Sequence, residues 1–216
     1  MFRITLSFDN GPEPGVTPQV LDQLEARGIK AAFFVVGENL ADRARMRLAE
    51  RAHAEGHWIG NHTLTHSVPL GLRRDRGGAT FEICRTQRAL GGLAHPDRLF
   101  RPFGGGGQLG KLLLNQEALD CLTDGGYTCV LWNCVPRDWE QPDAWVDRAL
   151  AECQSCPWSL VVLHDLPTGA MRHLPRFLEE ASQAGAEFVQ EFPPECLPIR
   201  RGTPAMLLSD YVQGLD

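Results

Sequence analysis

Apolar and polar positions alternate in blocks along this chain. Short apolar runs at 4–8, 31–36, 57–60, 99–101, 128–132 and 160–164 read as strands, and the stretch from Leu160 to Leu163 is apolar enough to be buried throughout. Between them, 17–27, 42–55, 81–90, 111–124, 142–153 and 173–184 carry amphipathic spacing and read as helices. A strand-helix alternation of this kind predicts a parallel α/β fold with helices outside the sheet. Gly28, Gly56, Gly125 and Gly185 stand at predicted helix ends, where glycine can take positive φ, and Thr17-Pro18 reads as a cap followed by proline in the first turn. With no repeat or linker, the 216 residues are expected to form a single domain, 1–216. Only about the last fifteen residues suggest disorder.

The same pattern places the chemistry. Asp9 and Asn10 end the first predicted strand, His62 and His66 follow the third, Arg101 ends the fourth, Asp138 lies past the fifth, and His164-Asp165 end the sixth. The carboxyl ends of parallel strands form one face of the fold, so these residues are expected to converge on one pocket.

Composition narrows the function. A formal net charge of -6 argues against a nucleic-acid partner, and the one basic run, Arg73-Arg74-Asp75-Arg76, reads as a solvated loop. Met1 leads straight into an alternating strand with no signal peptide or membrane span, which predicts a cytoplasmic protein. Seven cysteines, an odd number, fit free thiols, and Cys153-Gln154-Ser155-Cys156 lacks the second pair that a structural zinc site requires.

His62-Thr63-Leu64-Thr65-His66 puts two imidazoles at i, i+4, a spacing that on a helical turn grips one zinc-like ion. Together with the strand-end oxygens of Asp9 and Asn10 it has the parts of a metal-assisted hydrolase site, although Asn10 stands where a second carboxylate would be natural. His164 suits proton donation if Asp165 or Asp138 sets its pKa near neutrality. Arg101 is placed to pair with Asp9 and keep it ionised, and Trp139 offers a flat wall for a sugar face. The run 104–111 has the glycine and lysine spacing of a phosphate-binding loop, but Leu112 stands where a magnesium-binding hydroxyl is required. The four glycines at 104–107 instead let a substrate approach the backbone closely.

Five segments in order resemble motifs of the NodB-homology polysaccharide deacetylase family: 7–12 its TFDDGP motif, 60–66 its H-[ST]-x-x-H motif, 100–104 its R-x-P-Y-G motif, 132–139 its aspartate-tryptophan motif and 163–165 its LHD motif. The resemblance spans about residues 1–190. It implies a distorted (β/α) barrel of about seven parallel strands. It further implies a divalent metal, zinc, on His62, His66 and the position of Asn10. In the implied roles Asp9 is the general base, Arg101 its orienting partner, His164 the general acid and Asp138 the tuner of His164. Phe103 and Gly104 border the substrate, with a backbone N–H near Phe103 as oxyanion donor.

The departures are Asn10 for the metal-binding aspartate, Phe103 for tyrosine in a segment one residue shorter, and Val135 near a position that is often acidic. Asn10 makes the ligand set neutral, which weakens metal binding and makes any bound water more acidic. Three functions follow. The first is deacetylation of an N-acetylated sugar, oligosaccharide or polysaccharide precursor. The second is non-catalytic carbohydrate binding after loss of the metal through Asn10. The third is metal-independent hydrolysis of a cyclic imide or ureide. If Asn10 is not a ligand, Glu13 is the alternative oxygen.

Overall fold

The apolar run at the amino terminus becomes the strand around which the molecule is organised. The computed structural model describes residues 1–214. In chain order the strands are β1 (Phe2–Asp9), β2 (Ala32–Val35), β3 (Trp58–Asn61), β4 (Leu99–Phe100), β5 (Leu114–Asn115), β6 (Thr128–Cys129), β7 (Trp158–His164), β8 (Ala186–Phe188), β9 (Ile199–Arg200), β10 (Thr203–Pro204) and β11 (Val212–Gln213). The helices are α1 (Thr17–Glu25), α2 (Arg43–Ala54), α3 (Gly78–Leu90), α4 (Gln116–Asp124), α5 (Trp145–Gln154) and α6 (Leu174–Gln183).

Nine strands form one sheet in the order β10-β9-β6-β4-β3-β2-β1-β7, with β8 also on β1. Pairing is parallel from β6 through β7 and at β8, and only β9 and β10 pair antiparallel. Beyond β6 the chain crosses the open side. Val130 N donates to Phe100 O, and Cys134 bridges to Val161 of β7, so the sheet curls into a distorted barrel. The expected parallel α/β barrel is borne out.

Strand alternation divides β1 into two faces. Ile4, Leu6 and Phe8 pack with Leu21 and Leu24 of α1, Trp145 of α5 and Phe177 of α6, and each such side chain contributes about 1.5–3 kcal/mol on burial. The alternate residues Ser7 and Asp9 reach buried Arg101, and that places a polar cluster at the carboxyl end of the sheet.

Several boundaries differ from the pattern-based expectation. Val16 occupies the cap position of α1; Thr17 is its first residue, and its hydroxyl bonds to Asp165 instead of capping. The segment 111–124 is not one helix. Leu114 is buried in β5 against Val212, and Asn115 Oδ1 then caps α4 by accepting from Ala118 N at 2.8 Å. Helix α3 begins earlier and α5 later than periodicity predicts, and β6 stops at Cys129 because the following residues turn to cross the barrel. Gly126 (φ 67°), and not Gly125, takes the left-handed position after α4. The expected disorder at the end is contradicted as far as Gly214, since Val212 is buried on β5; residues 215–216 lie outside the described residues. The cysteines are free thiols, and no helix among the described residues is long and apolar enough to cross a membrane.

Candidate active site

The parallel register brings β1 and β7 to a common end, with Asp9 directly opposite His164. Asp9 is buried, and Arg101 Nη1 donates to its Oδ1 at 2.8 Å. The guanidinium also donates to Ser7 Oγ (2.7 Å), Val130 O (3.2 Å) and Leu131 O (3.3 Å) and lies over the Phe34 ring at 4.0 Å. Burial alone would raise the Asp9 pKa, but the Arg101 charge and hydrogen bond, with His164, outweigh it and hold the carboxyl below its usual range. Asp9 is therefore an ionised carboxylate, buried at the edge of the cavity.

On the opposite side, Asp138 is fully buried and grips His164 twice. Its Oδ2 accepts from His164 N and its Oδ1 from His164 Nδ1, both at 2.9 Å. Since a carboxylate only accepts, Nδ1 carries the proton and Nε2 is left to the cavity. Burial pushes the His164 pKa down, the Asp138 bond and charge push it up, and the net displacement is upward. Of the two candidate carboxylates, then, Asp138 and not Asp165 bonds the ring. The Trp139 ring stands edge-on to His164 at 4.7 Å and lines the cavity with it.

The two histidines of the 62–66 segment come together without a helix, which corrects the helical-turn expectation. Thr63 (φ 66°) and His66 (φ 50°) are left-handed, so the chain folds back on itself and brings the rings to 4.9 Å. His62 Nδ1 donates to Arg101 O at 2.8 Å, which leaves Nε2 as a free lone pair 3.7 Å from Asp9 Oδ2. Burial pushes His66 down to about 3 and also lowers His62, so both rings are neutral. Phe103 stacks on His66 at 3.8 Å and fixes its plane.

Asn10 (φ 75°) lines the same cavity, and its Oδ1 is buried with no hydrogen-bond partner. Two neutral imidazoles and an orphaned amide oxygen on one cavity fit a divalent ion. Among the described residues no group of three or more His, Cys, Asp or Glu side chains is placed to hold a metal. Glu13 is not the missing oxygen, since its carboxylate pairs with Arg45 at 2.6 Å.

The cavity holds about 430 Å³ between these groups and an apolar wall of Pro69, Phe103, Trp132, Val135 and Leu166. Gly104 (φ 143°) borders it, and a side chain there would meet Leu112 Cδ1 at 2.4 Å. The glycine run forms a short turn held by Trp132 Nε1 on Gly107 O (2.7 Å) and leads into β5, with no helix starting at Lys111, so it is no phosphate loop. Asp165 sits under this site, not in it. It accepts from Thr17 Oγ1 and packs where a Gly11 side chain would be, and burial raises its pKa to about 7. The basic run is not simply solvated either, because Arg73 pairs with Asp75 and with buried Glu82.

Two residues at this site escape a reading of the sequence. Glu82 accepts from the backbone of Leu64 and Thr65, and Asn39 donates to the carbonyls of Asn10 and Gly11. The only signal for Glu82 is its place on the buried stripe of α3, between Ala79 and Thr86.

Known proteins share this arrangement of elements. A family profile described as polysaccharide deacetylase matches residues 2–130. A chitooligosaccharide deacetylase of Sinorhizobium fredii is 35% identical over 165 residues, covering 75% of this chain and 71% of that protein. A peptidoglycan-N-acetylglucosamine deacetylase of Bacillus cereus is 30% identical over 194 residues, covering 87% of this chain and 66% of that protein. The solved structure of a family 4 carbohydrate esterase from Streptomyces lividans in complex with acetate superposes with a TM-score of 0.72 at 26% identity, covering 92% of this chain and 97% of that one.

Proposed function

The chain belongs to the polysaccharide deacetylase family, and on that premise we propose that it hydrolyses the acetamide of an N-acetylated sugar, oligosaccharide or polysaccharide precursor. The observation that carries this reading is the pairing of an ionised Asp9 with a proton-bearing His164 across one cavity from His62, His66 and Asn10. A pure binding surface has no use for a base and an acid held by separate buried partners.

In this reading His62, His66 and Asn10 hold the ion, for which zinc suits the nitrogen-rich set. When bound, it supplies Lewis-acid polarisation of the acetyl carbonyl. Asp9 takes the proton from the attacking water, and Arg101 keeps Asp9 ionised and aimed. In this reading the backbone N–H of Phe103 is the donor to the developing oxyanion. His164 then donates its proton to the departing nitrogen, so that the C–N bond breaks to acetate and a free amine. Trp139 and Gly104 border the sugar, the first as a stacking face and the second as an open backbone edge.

Zinc content and acetate release from N-acetylated chito-oligosaccharides, measured on wild type and a His62→Ala, His66→Ala double variant, test the proposal. About one equivalent of zinc and steady acetate release are expected in wild type, both lost in the double variant. Neither zinc nor acetate release from any N-acetylated sugar would favour carbohydrate binding alone. Hydrolysis without zinc would favour the imide or ureide reading.

Asp138 yields a pH prediction. Asn at 138 keeps an acceptor for His164 N but removes the charge that raises the His164 pKa. The protonated acid is then lost at lower pH, and the alkaline limb of kcat/KM should move down by about 1–3 pH units in Asp138→Asn. An unmoved limb would remove His164 from the role of acid.

A further inference from the structure

The residues assigned to the ion sit on two separate loops, and the backbone of both is held away from its relaxed conformation. Asn10, Thr63 and His66 all have positive φ, which for a β-branched threonine is a true outlier. Something outside the loops has to hold them there.

Asn61 on β3 contributes, its Oδ1 accepting from Thr63 N at 3.0 Å, and two side chains from elsewhere in the chain do the rest. The Asn39 amide uses both Nδ2 protons on successive carbonyls, Asn10 O at 2.8 Å and Gly11 O at 3.0 Å. Glu82 is buried on α3, and its Oε2 accepts from Leu64 N (2.8 Å) and Thr65 N (2.9 Å) while Oε1 accepts from Thr65 Oγ1 (2.8 Å). These bonds fall on the residues between the two histidines. The short turn Gly37–Ala41, which carries Asn39, joins the two loops: Gly37 N donates to Thr63 O and Glu38 N to Leu64 O, each at 2.9 Å. The turn cannot shift freely, since a side chain on Gly37 would meet Thr86 Oγ1 of α3 at 2.5 Å. A continuous run of contacts therefore links α3, the histidine loop, the Asn39 turn and the Asn10 loop.

We propose that Asn39 and Glu82 are positioning residues that set this chain's affinity for its divalent ion, by holding the Asn10 and His62–His66 loops in the ligating arrangement before the ion arrives. The inference rests on the ligand set proposed above. Its force comes from Asn10: with no carboxylate among the ligands, charge contributes less to affinity, and the cost of arranging the ligands weighs more.

Competition titration of zinc against a chelator, with thermal melting of the metal-free proteins, provides the test. Glu82→Ala and Asn39→Ala should each weaken zinc binding by about 10- to 100-fold. Glu82→Asp keeps the charge but draws the carboxylate back by one methylene, and should weaken binding as alanine does. Glu82→Gln keeps an acceptor at the same reach and should retain more affinity than either. Asn115→Ala, which removes the α4 cap and touches neither loop's own hydrogen bonds, should lower the melting temperature with zinc affinity intact.

Unchanged affinity in Glu82→Ala and Asn39→Ala would overturn the proposal. So would a near-normal Glu82→Asp beside a weak Glu82→Gln, which would mean that Glu82 acts through charge, or affinity that falls with melting temperature in Asn115→Ala as well. If Glu82→Ala does not fold, Glu82→Gln and Asn39→Ala carry the comparison. A wild type that binds no zinc would overturn the ligand set itself, and this inference with it, a failure recognisable because it appears before any substitution.

Discussion

Replacing His164 by alanine is expected to lower kcat for deacetylation by about 10²–10⁴-fold with little change in zinc retention, and Asp9→Asn should cost a similar factor. The two variants differ in what else they disturb. His164 is partly open to the cavity, and its removal leaves Asp138 with the backbone bond from residue 164. Asp9 is buried against Arg101, so neutralising it leaves a buried guanidinium with only neutral partners, and a pair of this kind costs about 3–5 kcal/mol when broken. His164→Ala also costs Asp138 one of its two donors, so the expected signature is a modest fall in melting temperature for His164→Ala and a larger one for Asp9→Asn, with kcat lost in both. Because acid and base act in one reaction, the double variant should be scarcely slower than the poorer single variant. Wild-type kcat in a folded His164→Ala protein would remove the acid from the scheme.

How much of this site could be read along the chain depends on what fixes each residue. Asp9, Arg101, Asp138 and His164 were legible because each stands at or just past the end of an apolar run, and the parallel register then brings them together. The histidine pair was legible as a pair but not as a shape. A spacing of four suggests a helical turn, whereas Thr63 and His66 adopt left-handed backbone that no propensity predicts and that bonds to Asn61, Glu82, Gly37 and Glu38 maintain. The roles of Asn39 and Glu82 were not legible for the same reason, since the partners that matter are backbone groups distant in sequence, and a backbone N–H or C=O leaves no mark in the residue code. The misread helix at 111–124 has a different origin: its apolar residues fit a helix by period, but Leu114 is claimed by pairing with Val212, close to the far end of the chain.

Asn10 is where this chain departs most from the motif it resembles, and Asn10→Asp is expected to tighten zinc binding at least about tenfold, because ligand charge is a main determinant of cation affinity. The backbone need not move: aspartate tolerates the same left-handed φ, and Asn39 bonds the carbonyl of residue 10, not its side chain. The substitution exchanges the amide NH2 for a second oxygen and spreads negative charge onto Oδ1, which already lies buried without a partner. Without zinc the substitution should be unfavourable, since it sets a second carboxylate beside ionised Asp9 in a buried site. Metal-free Asn10→Asp should therefore melt below metal-free wild type and gain more on zinc addition, a difference that calorimetry reads directly. The neutral amide leaves more of the ion's positive charge to polarise the acetyl carbonyl, so tighter binding is not expected to raise kcat of the fully loaded enzyme. Equal zinc affinity in wild type and Asn10→Asp would place the Asn10 side chain outside the ligand set. With Glu13 committed to Arg45, the carboxylate left within reach of His62 is then Asp9 itself, and the base would have to be sought elsewhere.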